Sequence, residues 1–176
     1  MKYILLILLS LSTIMAEGLT LKSNDIGGQL NKAQEFNSFG CNGNNISPAL
    51  SWSDAPKGTK SFAITIFDPD APTGSGWWHW QVVNIPVTVN SVATDASYKH
   101  TLPKGALEII NDYGGTGFGG ACPPVGDKAH QYIVTIHALD VETLAVEAST
   151  NAPIVGYQIN AHSIAKASLI SYYQRD

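Results

Sequence analysis

Between positions 67 and 86 the sequence reads FDPDAPTGSGWWHWQVVNIP. Asp68, Asp70, His79 and three of the chain's four tryptophans (Trp77, Trp78 and Trp80) crowd into this stretch, although only 14% of the chain is charged. Acids beside a histidine can serve as general acid and base, ligate a metal, or line a pocket whose aromatic walls restrict water. A second histidine, His130, follows CPPVGDKA. Tyr132 lies two residues further on and shares its face if the segment is a strand.

Plainer roles compete with each of these. Either aspartate taken alone is more often a turn-capping acid that accepts backbone N–H bonds, and clustered tryptophans usually pack a core or its rim. His137 falls inside an apolar alternation and reads as structural, whereas His100 and His162 read as surface residues. Asp68, Asp70, His79 and His130 could together bind a metal as a hydrolase does, but the tight HxH or HExxH spacing of common zinc sites is absent. No GxSxG elbow surrounds a serine, and Ser75 in TGSGW has no strand-to-helix context. The glycine-rich GGTGFGG at 114–120 is not followed by GK[ST], so it is not a nucleotide loop, though its backbone N–H groups could meet a small anion.

These groups must be positioned by strands. Apolar and polar residues alternate over 61–68, 80–86 and 130–140, and more briefly over 19–23, 49–52 and 106–110. The intervening 42–48, 54–60 and 113–128 are rich in Gly, Pro, Asn and Asp. Strands at this spacing without intervening helices predict an antiparallel β-sandwich or barrel. Pro69 should end the first long strand, leaving Asp68 and Asp70 at a stiff strand mouth. Asn151 and Pro153 announce a helix start, and Ala161, Ile164, Ala165, Ser168, Leu169 and Tyr172 recur at helical spacing. One or two helices are therefore expected within 152–173, with an apolar stripe that packs on the β core or on a partner.

The 176 residues suit one domain. A formal charge of −4 gives no basic excess for a nucleic-acid backbone. Lys2, an apolar run over 3–15 and then Ala16 have the layout of a secretory signal peptide over 1–16, with residues 17–176 forming the exported, periplasmic or secreted domain. The run is shorter than the roughly 20 residues that span a bilayer, so an integral membrane protein is not expected. Loss of Lys2, the only charge in 1–16, would leave −5. Export would expose Cys41 and Cys122 to an oxidising compartment, where one disulfide is the simplest outcome and two buried thiols the alternative.

Taken together, CNGNNISPALSW (41–52), DPDAPTGSGWWHWQVVNIP (68–86) and NDYGGTGFGGACPPVGDKAHQYIVTIHALD (111–140) resemble the bacterial branch of the phosphatidylethanolamine-binding or Raf-kinase-inhibitor-like proteins. The resemblance covers nearly the whole mature chain. It implies a β-sandwich with C-terminal helical elements and a small anion-binding pocket at one end. Within that pocket it puts Asp68, Asp70 and Pro72 on the DPDAP segment, with Trp77 and its neighbours as walls, and His79 at the opening of the next strand. The floor would be Cys122, Pro123 and Pro124, with the backbone N–H at Cys122 offered to the ligand, and His130 and Tyr132 would form a further wall. At Ala121 the sequence departs from bacterial relatives, which often carry proline there. The function so implied is non-enzymatic binding of a phosphorylated or anionic small molecule without a cofactor, the two aspartates orienting and charging the histidines. Inhibition of a protease or kinase-like protein through the pocket rim is the first alternative, and homodimerisation is a further candidate interaction.

Overall fold

The computed structural model describes residues 18–176. The expected signal segment at 1–16 lies outside the described residues. The elements run β1 (Thr20–Lys22), β2 (Leu50–Ser53), β3 (Ser61–Asp68), β4 (Trp77–Pro86), β5 (Ser91–Val92), β6 (Leu107–Glu108), β7 (His130–Leu139), α1 (Ala152–His162) and β8 (Ser163–Tyr173). They form a β-sandwich of a three-stranded sheet, order β1-β2-β5, and a five-stranded sheet, order β6-β4-β3-β7-β8. Every strand pair is antiparallel.

Alternation explains which face meets which layer. Phe62, Ile64 and Ile66 of β3, Trp80 and Val82 of β4, and Tyr132, Val134 and Ile136 of β7 turn inward, onto Leu21, Leu50 and Trp52 of the small sheet. Burying each such aliphatic side chain stabilises the fold by about 1.5–3 kcal/mol, so Ile64→Ala, at a position with no exposed surface, should cost about 2–5 kcal/mol. The opposite face carries a second cluster in which Ala63, Val83 and Leu139 pack against Val155 and Ile159 of α1.

The helix starts where its signals stand. Asn151 Oδ1 accepts a bond from the Ile154 N–H at 3.2 Å, with proline inside the first turn. It stops at His162, and the expected continuation to 173 is a strand instead. The segment SIAKASLISYY satisfies both periods. Ala165, Ala167, Leu169, Ser171 and Tyr173 sit at every second position, and β7 supplies a ten-residue partner running from Leu139↔Ser163 to His130↔Tyr173. Pairing along that length, which no local periodicity reveals, outweighs a helical stripe of modest propensity.

Because β3 runs antiparallel to both β4 and β7, the end of β3 at Asp68 lies at the same edge of the sheet as the first residues of β4 and β7. The end of β8 joins them through the Tyr173–His130 pair. Three stretches far apart in sequence, the β3–β4 connection, the start of β7 and the end of β8, therefore meet at one end of the sandwich.

Candidate functional site

A cavity of about 260 Å³ opens at that end. Asp68, Pro72, Trp77, His79, Cys122, Pro123, Pro124 and His130 line it, as do Phe39, Ala71, Thr73, Tyr113 and Arg175. Asp70 and Tyr132 stand behind the wall. Gly76, at φ +73°, makes the return from Asp68 into β4 possible, since a Cβ there would collide with the Phe67 ring and the Asp68 carbonyl.

Asp68 is 3% exposed and fully engaged by protein. Its Oδ1 accepts the Asp70 N–H at 2.8 Å, an Asx-type turn that holds the DPD loop, and its Oδ2 accepts His130 Nδ1–H at 2.8 Å. His130 Nε2–H points to Asp127 Oδ2 at 3.2 Å. Burial works against a charge on His130, yet the bonds to Asp68 and Asp127 outweigh it and raise its pKa. His130 is thus held between two carboxylates, with both ring N–H groups directed at protein.

Asp70 plays a different part from the one its spacing suggests. It accepts Lys128 Nζ at 2.7 Å and the Gln131 N–H at 2.9 Å, and those two bonds, Lys128 first, lower its pKa. It fastens the start of β7 to the DPD loop rather than orienting a histidine.

His79 is buried, with its Nδ1 2.7 Å from the Gly119 carbonyl, while the Gly119 N–H returns a bond to the His79 carbonyl at 2.9 Å. Burial lowers the His79 pKa, against the opposing influence of the Gly119 bond and the Asp68 charge. Tyr132 lies against this ring at 5.1 Å between centroids and Tyr113 at 5.7 Å. Burial first, and then the charge of Asp68, raises the pKa of both tyrosines, so each stays a neutral phenol. Trp77 stacks edge-on to Tyr113 at 5.1 Å, and Tyr113 donates to the Gly120 carbonyl at 3.0 Å.

The floor is covalently tied. Cys41 and Cys122 form a disulfide with Cα atoms 5.9 Å apart. Beside it, the Ala121 N–H donates to the Gln34 carbonyl at 3.0 Å and the Ala121 carbonyl accepts the Phe36 N–H at 2.9 Å. A proline at 121 would forfeit the first of these bonds.

Arg175 is the residue that spacing and motif overlooked. Its Nε donates to the Pro123 carbonyl at 2.7 Å and its Nη1 to the Gly40 carbonyl at 2.8 Å, which carries the C-terminal segment across the disulfide-linked loops and sets a guanidinium on the cavity wall. It is the only arginine in the chain, and that singularity was the one sequence signal available. Tyr113 and Phe39 were also missed, because each sits in an irregular loop.

Among the described residues no group of three or more His, Cys, Asp or Glu side chains is arranged to hold a metal ion, and no helix is long and apolar enough to cross a membrane. The carboxylates of Asp68 and Asp127 are both engaged by the His130 ring.

An antiparallel sandwich with a mainly apolar, aromatic-walled cavity that carries a few polar groups at one end of its larger sheet is an architecture suited to a small ligand-binding protein. The sequence profile of the phosphatidylethanolamine-binding protein family matches residues 22–174, and the chain belongs to that family, in its bacterial, Raf-kinase-inhibitor-like branch. It is 50% identical to UPF0098 protein YbcL of Escherichia coli (strain K12) over 163 residues, which cover 90% of this chain and 89% of that protein. It is also 46% identical to UPF0098 protein YbhB of the same organism over 156 residues, or 87% and 98% of the two chains. The crystal structure of E. coli YbcL, described as a new member of the mammalian PEBP family, superposes with a TM-score of 0.88 at 49% identity, covering 91% of this chain and all of that one. A homologue from Chlamydia trachomatis, described as a putative member, matches with a TM-score of 0.73 at 30% identity and 90% and 99% coverage. Members of the family are characteristically non-enzymatic ligand-binding proteins, and this chain shares that character.

Proposed function

We propose that this is an exported protein whose end cavity receives a phosphorylated or otherwise anionic small molecule. The observation that carries the reading is the juxtaposition, around one cavity, of the Arg175 guanidinium, His130 held between two carboxylates, and two buried groups without a partner among the described residues, Trp77 Nε1 and His79 Nε2. A guanidinium and an indole N–H are good donors to a phosphoryl oxygen, and the buried aromatic wall keeps competing water low. The Cys122 N–H, on the floor, is a further donor by family resemblance. Export is supported by the disulfide, since such bonds persist in oxidising compartments.

Arg175→Gln and Trp77→Phe test the site. Each removes one donor and leaves the Asp68–His130–Asp127 chain intact. A hydrogen bond to a charged group contributes about 1.5–3 kcal/mol, so each substitution should weaken binding of inorganic phosphate by about ten-fold or more in calorimetric titration. Unchanged affinity in both variants would place the anion elsewhere.

A second reading, a protein target engaged at the rim, draws on Phe39. Phe39 is 67% exposed and lines the cavity, and its backbone is held in the left-handed region at φ +55°, where a non-glycine residue is uncommon. Loss of partner capture by Phe39→Ala, with phosphate affinity preserved, would favour it.

A further inference from the structure

His79 has a defined tautomer. The Gly119 carbonyl can only accept, so the nitrogen 2.7 Å from it, Nδ1, carries the proton. In a neutral imidazole the other nitrogen is then a bare lone pair. That nitrogen, Nε2, is buried without a hydrogen-bond partner among the described residues, and the ring lines the cavity. The groups facing it do not supply a proton. Asp68 and Asp112 act on it only as charges, which favour protonation but are outweighed by burial. Tyr113 and Tyr132 stand edge-on to the ring; Tyr113 gives its hydroxyl proton to Gly120, and the Tyr132 hydroxyl, likewise buried without a partner among the described residues, makes no bond to Nε2. Across the cavity, His130 spends both of its ring protons on Asp68 and Asp127, while Arg175 spends Nε and Nη1 on carbonyls.

The cavity therefore presents donors, Arg175 and Trp77, together with one acceptor that demands a donor from the guest. We propose that the cavity selects an oxyanion that still bears a proton, namely inorganic phosphate in either of its protonated anionic forms or the monoanion of a phosphate monoester, whose P–OH donates to His79 Nε2 while its charged oxygens take the N–H donors. This rests on the anion-binding reading above. A phosphodiester or a sulfate has charged oxygens but no proton near neutral pH. Either would set an oxygen lone pair against the nitrogen lone pair and leave a buried polar atom unsatisfied. The dianion of a phosphate monoester fails for the same reason, with added repulsion from Asp68.

Calorimetric titration of the mature protein with inorganic phosphate, methyl phosphate, dimethyl phosphate and sulfate, at pH 5.5 and pH 8, separates the cases. Methyl phosphate should bind at pH 5.5 and weaken by about ten-fold or more at pH 8, as its second ionisation, near pH 6, removes its only P–OH, whereas inorganic phosphate keeps a P–OH at both pH values and should weaken by less than about ten-fold. Dimethyl phosphate and sulfate should bind at least about ten-fold more weakly than methyl phosphate at pH 5.5. The relative affinity of inorganic phosphate and methyl phosphate tells a free ion from an ester. If the diester and sulfate bind as well as methyl phosphate, the proton requirement is overturned and the anion site stands. Binding of none of the four overturns both readings. Independently, imidazole nitrogen resonances of His79 should show a protonated Nδ1 and an unprotonated Nε2 at pH 7 without phosphate, and a protonated Nε2 there would also overturn the proposal.

Discussion

Replacing both half-cystines, Cys41→Ser with Cys122→Ser, should cost the protein stability without dismantling the cavity. The disulfide spans 81 residues in sequence, and by chain-entropy reasoning a loop of that length restricts the unfolded chain by about 4.5 kcal/mol. The native side of the balance should change little, because the two loops are joined independently. Glu35 bridges Ala121, Asn45 Oδ1 accepts the Gly120 N–H at 2.7 Å, and Asn45 Nδ2 donates to the Phe118 carbonyl at 3.2 Å. The loss should thus appear mainly as a lower urea midpoint with a slightly larger slope, the slope reflecting a more expanded unfolded chain. Phosphate affinity, measured well below the midpoint, should fall by less than about ten-fold, since the loop contacts that hold the floor remain. A stability loss below about 1 kcal/mol would refute the entropic account. A native state that no longer binds phosphate would refute the independence of the loop contacts.

His137 provides a pH-dependent test on the other face of the sheet. Burial, and secondarily Lys166, holds its pKa down at about 4 against an ordinary 6.5, so the unfolded chain takes up a proton that the folded chain refuses. Its contribution is fully present above pH 6.5 and is lost as pH falls toward 4, by roughly 2 kcal/mol between pH 7 and pH 5. The His137→Gln variant, which can still bond Thr65 and Ser163, should show a correspondingly flatter decline in urea unfolding over that interval; parallel profiles would contradict the assignment. For export, material recovered from the producing cell's exterior compartment should have an intact mass beginning at Glu17, and a soluble full-length chain would count against processing.

Much of this architecture was legible because half-buried strands write a period of two. SFAITIFD and HQYIVTIHAL stand in the structure over the residues their alternation marks, and Pro69 ends β3 where a missing backbone donor requires it. β5 has two residues and no pattern to read. β8 carries two patterns at once, and only its long neighbour decides between them. At the site, spacing identified Asp68, His79 and His130 because each closes or opens a long strand. It did not say which partner each would take. The expectation that both aspartates orient and charge the histidines matches only the Asp68–His130 pair: burial holds His79 below its ordinary value, and Asp70 is drawn to Lys128 by a contact 58 positions away. The tautomer of His79 was likewise invisible, being fixed by a carbonyl 40 residues distant.

The position of Arg175 makes the cavity a structure of the whole chain. One wall residue, Phe39, lies early in the sequence, and another lies one place from the final Asp176. During synthesis the sheet can pair β3 with β4 while most of the protein is unmade, but the cavity cannot be completed until the last strand has left the ribosome and its tail has crossed the disulfide-linked loops. Contacts of such long range are closed late and at an entropic cost that grows with separation. The same geometry bears on handling of the protein: an affinity tag fused after Asp176 would begin at the mouth of the cavity, whereas one placed ahead of β1 would begin on the small sheet.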